Sequence, residues 1–573
     1  MPTSPASPAS SAPAPLLDRR KFMAYLAGFG LGGTAFPAAL WAVVQQQGKI
    51  TRQTVACAEE IAGLQFTDAE RDMMVKGLND NLQAFEELRA VSIPNEVSPA
   101  LRFDPMLPGR VPAVVRREPR RTRRAVTRPA NLEEAAFWPV TDLAELVRTR
   151  QVSSVELSRM YLDRLRRFGP QLEAVITLTE DLAMKQARRA DQELARGVYR
   201  GPLHGIPWGA KDLLSEDDYR TTWGAKPYED QSIPYDATVV RRLEDAGAVL
   251  IAKLTLGALA MGDVWFGGRT RNPWNPEQGS SGSSAGPASA TVAGLVGFGI
   301  GSETLGSIVS PATRCGATGL RPTFGRVSRY GAMALSWSMD KLGPLCRSVE
   351  DCALVFEAIQ GPDGLDPTVR DVPFDWDATL PLSTLRIGYY KSAFETEHRG
   401  AEFDSRALEV LRGMGVDLVP VELPTDVPVD AIRFVLSAEA AAAFDDLTRS
   451  NRDDLLVRQG AGAWPNSFRQ ARMIPAVEYI QANRARTMLM GAMDAVMDGI
   501  DLFVTPSYGG SVLLTTNLTG HPAAVLPNGF REDGTPVSIS FIGKLYGEAE
   551  LLTAAMRYQD ATGFHLQHPA AFR

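Results

Sequence analysis

The feature that most constrains the fold is an apolar, glycine-punctuated stretch in the middle of the chain, residues 279–320. It begins as GSSGSSAGPASA, which contains five serines and no charge, and continues as TVAGLVGFGIGSETLGSIVSPATRCGATGL. Gly/Ser runs usually stay flexible because they bury too little apolar surface to offset the cost of ordering. This run leads directly into a sequence with the composition of a protein core. We therefore expect a packed loop whose small residues let backbone segments approach closely.

Composition and patterning indicate a globular protein of the α/β class. Of the 573 residues, 45% are hydrophobic and 22% are charged, and the formal net charge is −7. This balance gives no general reason to expect binding to nucleic acid or to a membrane surface. Short apolar runs such as AVLIAKLTL and DLFVTPS alternate with helical patterns, which favours a central sheet packed against helices.

The four cysteines have spacings that match neither a zinc site nor a disulfide framework. We expect buried free thiols, and a Cys346–Cys352 disulfide stays open as the alternative in an oxidising compartment. We predict neither a metal ion nor a cofactor.

The first 48 residues form a leader with the layout of a twin-arginine export signal. Arg19 and Arg20 precede an uncharged stretch from Ala24 to Val44. We therefore expect export to the periplasm. No clean cleavage site follows, and about 20 apolar residues can span a bilayer, so an N-terminal membrane anchor stays open.

Residues 49–95 are predicted to form a helical hairpin, because apolar residues recur at three- and four-residue steps between 51 and 92. Thr67 is a plausible N-cap with Glu70 three residues later, the arrangement of a capping box. The segment resembles the small helical C subunit of the tRNA-dependent amidotransferases. We expect it to pack on the catalytic part of the same chain.

Residues 96–135 are rich in proline and arginine, and we predict an extended, solvated linker there. No aromatic or motif context supports phosphate binding by the arginines of residues 116–128. Residues 136–573 are predicted to form the catalytic domain. Its first helices are expected to be capped at Thr141-Asp142 and at Ser153-Ser154.

The segment GPLHGIPWGAKDLLS, residues 201–215, delivers Lys211 into apolar surroundings. Desolvation disfavours the ammonium form and lowers the pKa of a buried lysine, and a neutral lysine is a base. The alternative is an ion pair between Lys211 and Asp212. The segment by itself leaves both open.

The segment GSETLGSIVSPA, residues 301–312, contains a glycine-rich turn around Gly306 and Ser307. Consecutive N–H groups in such a turn can stabilise an oxyanion. Serine is a poor nucleophile without an adjacent base. The chain has five histidines and none lies near these serines in the sequence, so lysine is the better candidate for the base.

Taken together, these segments resemble the amidase signature family, whose members carry a Lys–cis-Ser–Ser triad within a Gly/Ser-rich signature. The resemblance runs from about residue 138 to about residue 570. It includes the motifs GPLHGIPWGAKD, NPWNP, GATGLRPTFGRVSRYGAM, SMDKLGPLCRSVEDCALV, DLFVTPS and TNLTGHPAAVLPNGF. It implies a mixed central β-sheet flanked by α-helices on both faces, and a carboxamide as the substrate.

The resemblance also implies roles for individual residues. Lys211 matches the base, Ser307 the nucleophile and Ser283 the bridging serine that follows a cis peptide bond. Ser284 and Glu303 match supporting positions. The implied oxyanion hole consists of the backbone N–H groups of Thr304, Leu305, Gly306 and Ser307.

Several departures from the family pattern leave the substrate open. Ala285 replaces a common glycine and Pro287 follows it, while the loop at 508–515 is short. Val309 stands where the family often has an arginine, and Arg314 is a possible substitute.

The leading hypothesis is an exported amidase that acts on a small-molecule amide through an acyl-enzyme and does not bind nucleic acid. The alternatives are a non-catalytic scaffold that keeps the fold and a glutaminase or amidotransferase-type subunit. The sequence leaves the oligomeric state open, with a homodimer as one expectation. Residues 338–341 also spell S-x-x-K, a motif of penicillin-binding proteins, but no K-T-G or S-D-N element accompanies it, which favours coincidence.

Overall fold

A computed structural model describes residues 50–62, 64–91, 103–112, 114–122 and 124–573. The chain divides into two compact units at residues 82 and 83. The predicted export signal lies outside the described residues. Across the described residues, no helix combines the length and the apolar character that a membrane span needs.

The described α-helices are α1 (Arg52–Ala62), α2 (Asp68–Arg89), α3 (Val140–Arg148), α4 (Ser154–Leu172), α5 (Glu180–Ala195), α6 (Thr238–Asp245), α7 (Ala285–Val292), α8 (Val309–Cys315), α9 (Val349–Ile359), α10 (Lys391–Glu395), α11 (Ala401–Gly413), α12 (Phe434–Ala443), α13 (Asp445–Arg449), α14 (Trp464–Ala471), α15 (Ala476–Met497), α16 (Val512–Thr519) and α17 (Glu548–Thr562). The strands are β1 (Val175–Leu178), β2 (Pro207–Lys211), β3 (Val249–Leu254), β4 (Val264–Trp265), β5 (Gly268–Arg269), β6 (Arg271–Asn272), β7 (Asn275–Gly279), β8 (Phe298–Glu303), β9 (Thr318–Arg321), β10 (Lys341–Cys346), β11 (Ile387–Tyr390), β12 (Val419–Val421), β13 (Leu502–Pro506), β14 (Ala523–Phe530) and β15 (Pro536–Gly543).

Helices α1 and α2 form the predicted helical hairpin, and the first unit includes α1 and the part of α2 up to Leu82. Ion pairs join its two helices, Arg52 with Asp72 and Arg71 with Glu59, the latter at 2.8 Å. The capping box at the start of α2 is confirmed: Glu70 N–H donates to Thr67 Oγ1 at 3.3 Å, and the Glu70 carboxylate accepts from Thr67 N–H at 2.6 Å. Packing of residues 50–82 on the catalytic part stays a prediction.

The second unit is built on one mixed sheet of eleven strands, in the order β1-β3-β2-β8-β10-β9-β14-β15-β13-β11-β12. Strand β2 lies between β3 and β8 and is parallel to both, whereas β8, β10, β9, β14, β15 and β13 pair antiparallel in turn. Every residue of β2, β3, β8, β10, β13 and β15 is buried. Successive side chains of a strand point to opposite faces, so both faces of the sheet are covered, as the resemblance implies.

Two helix starts show how the predicted caps compare with the structure. Ser153 is the N-cap of α4, as expected, and it forms a capping box with Glu156. The prediction for α3 is wrong, because that helix begins at Val140, before Thr141. The Thr141 N–H donates to the Asp351 carboxylate at 3.1 Å, so a residue distant in sequence provides the cap.

The proline- and arginine-rich segment, residues 103–135, is irregular before Leu132, and most of its described residues are exposed or half-buried. Phe103 is buried, and its ring lies 4.8 Å from that of Phe324. The other anchors are ion pairs to carboxylates of the second unit, namely Arg110 with Asp494, Arg116 with Asp375, Arg117 with Glu550 and Arg121 with Glu357. The segment is therefore irregular and largely solvated, as expected, but it is also attached to the rest of the second unit by these contacts.

All four cysteines are free thiols, as expected, although Cys57 is exposed whereas Cys315, Cys346 and Cys352 are buried. Over the described part of the chain, no three His, Cys, Asp or Glu side chains come together as a metal site would require.

Candidate active site

The site begins with Lys211, the last residue of the fully buried strand β2. The register of β2 with β8 sets Ala210 opposite Ile300, which brings Lys211 to the end of β8. There, Lys211 Nζ lies 2.9 Å from Ser302 Oγ and 3.4 Å from the Ser302 carbonyl oxygen.

The Gly/Ser stretch places two more hydroxyl groups beside the same amine. Lys211 Nζ lies 2.8 Å from Ser283 Oγ and 3.1 Å from Ser284 Oγ. Ser284 directly precedes α7, and its hydroxyl donates to the Ser302 carbonyl oxygen at 3.0 Å and accepts from the Ser302 N–H at 3.1 Å. A β-carbon on Gly301 would lie 2.6 Å from Ser284 Oγ, so only glycine permits this approach of α7 to β8.

The electrostatics favour a neutral Lys211. The side chain is fully buried and forms no ion pair among the described residues; burial lowers its pKa well below the ordinary value, and the charges of Asp340 and Glu303 oppose this only in part. Asp212 pairs instead with Lys253 at 3.0 Å, and both of these side chains are fully buried. The alternative of a Lys211–Asp212 ion pair is therefore wrong. A neutral amine surrounded by hydroxyl groups can accept a proton.

Ser307 lies on the turn that links β8 to α8, beside the Gly/Ser stretch. The Ser284 N–H donates to the Ser307 carbonyl oxygen at 3.0 Å. Ser307 is 7% exposed, and its hydroxyl has no hydrogen-bond partner among the described residues. Gly306 has φ +81°, which turns the backbone, and the N–H groups of Leu305, Gly306 and Ser307 donate to no described acceptor. The turn thus offers unpaired donors next to a free hydroxyl.

The Glu303 carboxylate holds this turn in place through hydrogen bonds to the backbone that follows it. It accepts from the N–H groups of Ile308 at 2.8 Å and Val309 at 3.0 Å, where α8 begins. It also accepts from the Arg321 guanidinium at 2.9 Å and from the Asn517 amide at 2.8 Å. Four donors therefore fix one buried carboxylate directly before the turn.

The charges around Glu303 keep it ionised despite its burial. Burial would raise the pKa of Glu303, but the Arg321 guanidinium and the hydrogen bonds that the carboxylate accepts outweigh it and lower the pKa to about 2. Lys341 Nζ donates to Asn517 Oδ1 at 2.6 Å, which orients the amide that donates to Glu303.

The structure thus brings the predicted residues Lys211, Ser283, Ser284 and Glu303 into contacts around the Ser307 turn, and the Gly282–Ser283 peptide bond is cis. Arg314 does not substitute for the missing family arginine, because it is exposed and donates to Gln278 at 3.1 Å.

The S-x-x-K sequence is not a catalytic pair. The Ser338 hydroxyl donates to Glu439 at 2.7 Å and accepts from Arg486 at 2.7 Å, whereas Lys341 contacts Asn517.

Sequence reasoning missed Ser302, Arg321, Lys341 and Asn517. All four lie in quoted segments, and a search for buried polar residues within them would have found them: Ser302 in GSETLGSIVSPA, Arg321 in GATGLRPTFGRVSRYGAM, Lys341 in SMDKLGPLCRSVEDCALV and Asn517 in TNLTGHPAAVLPNGF. Ser302 and Thr304 are among the residues that line a cavity of about 470 Å³.

The family model described as Amidase matches residues 156–511. The A subunit of the glutamyl-tRNA(Gln) amidotransferase from Moorella thermoacetica is 34% identical over 484 residues, which cover 76% of this chain and 99% of that protein. Its counterpart from Coxiella burnetii is 34% identical over 478 residues and is covered to 98%.

Two solved structures show a similar fold. The native peptide amidase from Stenotrophomonas maltophilia matches with a TM-score of 0.67 and 31% identity, over 75% of this chain and 98% of that one. An amidase family protein from Bacillus anthracis matches with a TM-score of 0.68 and 25% identity, over 76% of this chain and 93% of that one.

Proposed function

Because the chain belongs to the amidase signature family, we propose that it hydrolyses the C–N bond of a carboxamide through an acyl-enzyme on Ser307. The observation that carries the proposal is the buried, unpaired Lys211, whose Nζ lies 2.8 Å from Ser283 Oγ. A lysine without a counter-ion is unfavourable for stability, and a neutral lysine is what a serine nucleophile requires as a base.

In the proposed mechanism, Ser307 Oγ attacks the amide carbonyl carbon. Its proton passes to Ser283, which gives its own proton to Lys211. The carbonyl oxygen becomes an oxyanion and accepts from the unpaired N–H groups of the turn at residues 304–307. The C–N bond then breaks, the proton returns along the same relay to the leaving amine, and an ester on Ser307 remains. Water, deprotonated by the same relay, releases the acid and restores the serine.

Replacement of the nucleophile tests the proposal. Ser307→Ala should lose amide hydrolysis by about 10⁴-fold or more, because the remaining residues cannot form the acyl-enzyme. Ser289→Ala is the matched control, since Ser289 lies in the same Gly/Ser stretch but donates to the Arg271 carbonyl oxygen at 2.8 Å, away from Lys211. A fluorophosphonate should label the wild type and the control at Ser307, which the mass of the labelled peptide reports. Retained turnover by Ser307→Ala would contradict the mechanism.

The relatives favour a second candidate function. Proteins 34% identical over almost their whole length are amidotransferase subunits, so a role as an amidotransferase-type subunit that takes ammonia from glutamine is the alternative. Ammonia release from glutamine, measured with the purified chain and with Ser307→Ala, separates the two. Efficient Ser307-dependent release from glutamine, with no hydrolysis of other amides, would support the alternative. Export through the twin-arginine pathway stays a prediction and argues for the hydrolase, because tRNA charging is cytoplasmic.

A further inference from the structure

The cavity at the end of the sheet has walls that are mainly apolar. It has a volume of about 470 Å³ and reaches Ser302, whose hydroxyl contacts Lys211, and Thr304, the first residue of the Ser307 turn. Leu213, Met333, Leu335 and Leu342 are among its lining residues. A cavity of this size accommodates a small-molecule substrate.

Only one cation, Arg329, lines this cavity among the described residues, and four of its five side-chain donors are already used. The guanidinium donates to both oxygens of Asp366, at 2.9 and 3.3 Å. It also donates to the Trp337 carbonyl oxygen at 2.7 Å and to Thr368 Oγ1 at 3.0 Å. Since a guanidinium has five N–H donors in a fixed plane, Arg329 has little capacity left to bind a carboxylate of a substrate.

The other charged groups that line the cavity are carboxylates, and protein donors hold them in place. Asp340 accepts from Thr304 Oγ1 at 2.6 Å and from the N–H groups of Leu335 and Ser336 at 2.8 and 2.9 Å. Glu439 accepts from Ser336, Ser338 and Tyr479 at 2.7 to 2.9 Å. Three carboxyl groups and one already paired guanidinium thus line the cavity, and an anionic ligand would meet like charge and at most one unused cationic donor.

Large apolar side chains extend this lining to the surface. Trp337 and Leu365 both line the cavity, and they are 50% and 46% exposed. An apolar substrate group that extends out of the cavity would therefore contact an aromatic and an aliphatic side chain instead of charged side chains.

We propose that the substrate is a carboxamide with a neutral, apolar acyl group of about the size of phenylpropionyl, and that this cavity rejects amides that carry a free carboxylate. The proposal rests on the proposed amide hydrolysis and names the substrate class of the same site. It also makes free glutamine a poor substrate, because its α-carboxylate would have no partner in the cavity.

A matched pair of amides, assayed with the wild-type protein, tests whether the cavity rejects a substrate that carries a carboxylate. The probes are 3-phenylpropanamide and its 4-carboxy derivative, which differ only in the carboxylate, and the readout is kcat/KM from ammonia release. We expect at least about a ten-fold lower kcat/KM for the carboxylate, since an unpaired charge is costly in an apolar site. An equal or higher kcat/KM for the carboxylate would overturn the proposal. Failure to hydrolyse the neutral compound would overturn it too, and fluorophosphonate labelling of Ser307 would then show whether the proposed function survives.

Asp366→Asn provides a second test, because it should release Arg329 from its ion pair. We expect the variant to raise kcat/KM for the carboxylate relative to the neutral amide by at least about five-fold, since one guanidinium becomes available. Asp375→Asn is the matched control, because it breaks the pair with Arg116 outside the cavity. A ratio that stays at the wild-type value in folded Asp366→Asn would contradict the role given to the Arg329–Asp366 pair.

Discussion

Replacing Glu303 by glutamine removes one buried charge beneath the Ser307 turn and nearly preserves the shape of the side chain. In the wild type, the carboxylate accepts from Ile308 and Val309 and pairs with Arg321. Glutamine keeps one carbonyl acceptor but leaves the fully buried Arg321 without its anion. The variant should therefore lose both folding stability and the fixed position of the turn.

The pKa of Glu303 gives the size of the effect. It falls from the ordinary 4.5 to about 2 in the folded chain, so the folded state favours the ionised form. Each pKa unit corresponds to about 1.4 kcal/mol, so the charge contributes about 3 kcal/mol at neutral pH. Because the folded pKa is depressed, this stability is fully present above the unfolded pKa and is lost as the pH falls through the folded one. At pH 3.5, about 2 kcal/mol should remain.

The assay is urea unfolding of the wild type and Glu303→Gln at pH 7, 5 and 3.5. The difference in the free energy of unfolding should be about 3 kcal/mol at pH 7 and should narrow at pH 3.5. Glu357→Gln is the control, since its pair with Arg121 lies at the surface and should contribute less than about 1 kcal/mol. At pH 7, kcat of Glu303→Gln should fall more than KM rises. A stability difference that stays constant from pH 7 to 3.5 would refute the assignment of an ionised, network-held Glu303.

Two further variants test buried ionisable groups near the site. Lys211→Met should abolish amide hydrolysis. Because burial lowers the pKa of Lys211 in the folded state, the stability of this variant relative to the wild type should be highest at pH 7 and should decline toward pH 10, as measured by urea unfolding. A stability difference that does not depend on pH would contradict a neutral Lys211. Asp212→Asn leaves the fully buried Lys253 unpaired and should lower the free energy of unfolding by about 3 kcal/mol or more, whereas an unchanged urea midpoint would show that this pair is dispensable.

Much of the architecture could be predicted because local patterns determine it. Apolar runs mark the buried strands, and a serine followed by glutamate three residues later marks the start of α4. Lys211 could be singled out because a lysine within an apolar strand must be either neutral or paired. The choice between these states required the structure, since Lys253, the partner of Asp212, lies 41 residues away in the sequence.

Groups that meet only through the sheet could not be predicted. Ser302 reaches Lys211 because β2 pairs with β8, and Lys341 reaches Asn517 because β10 and α16 converge next to Glu303. For the same reason, Asp351 caps α3 in place of the predicted local cap. Such contacts depend on strand order and on long-range packing, which single-sequence periodicity does not contain.

The docked arginines of residues 110–121 also neutralise the surface on which they lie. Asp494, Asp375, Glu550 and Glu357 each receive one guanidinium from that segment. Without the segment, these carboxylates would lose their partners, and mutual repulsion would act across several elements of the second unit. Because Arg110, Arg116 and Arg121 are well exposed, dissolved salt should weaken their pairs, and the segment should become more accessible to proteases that cleave after arginine as ionic strength rises. The ion pairs of the segment therefore hold it on the second unit with a strength that depends on the ionic strength of the solution.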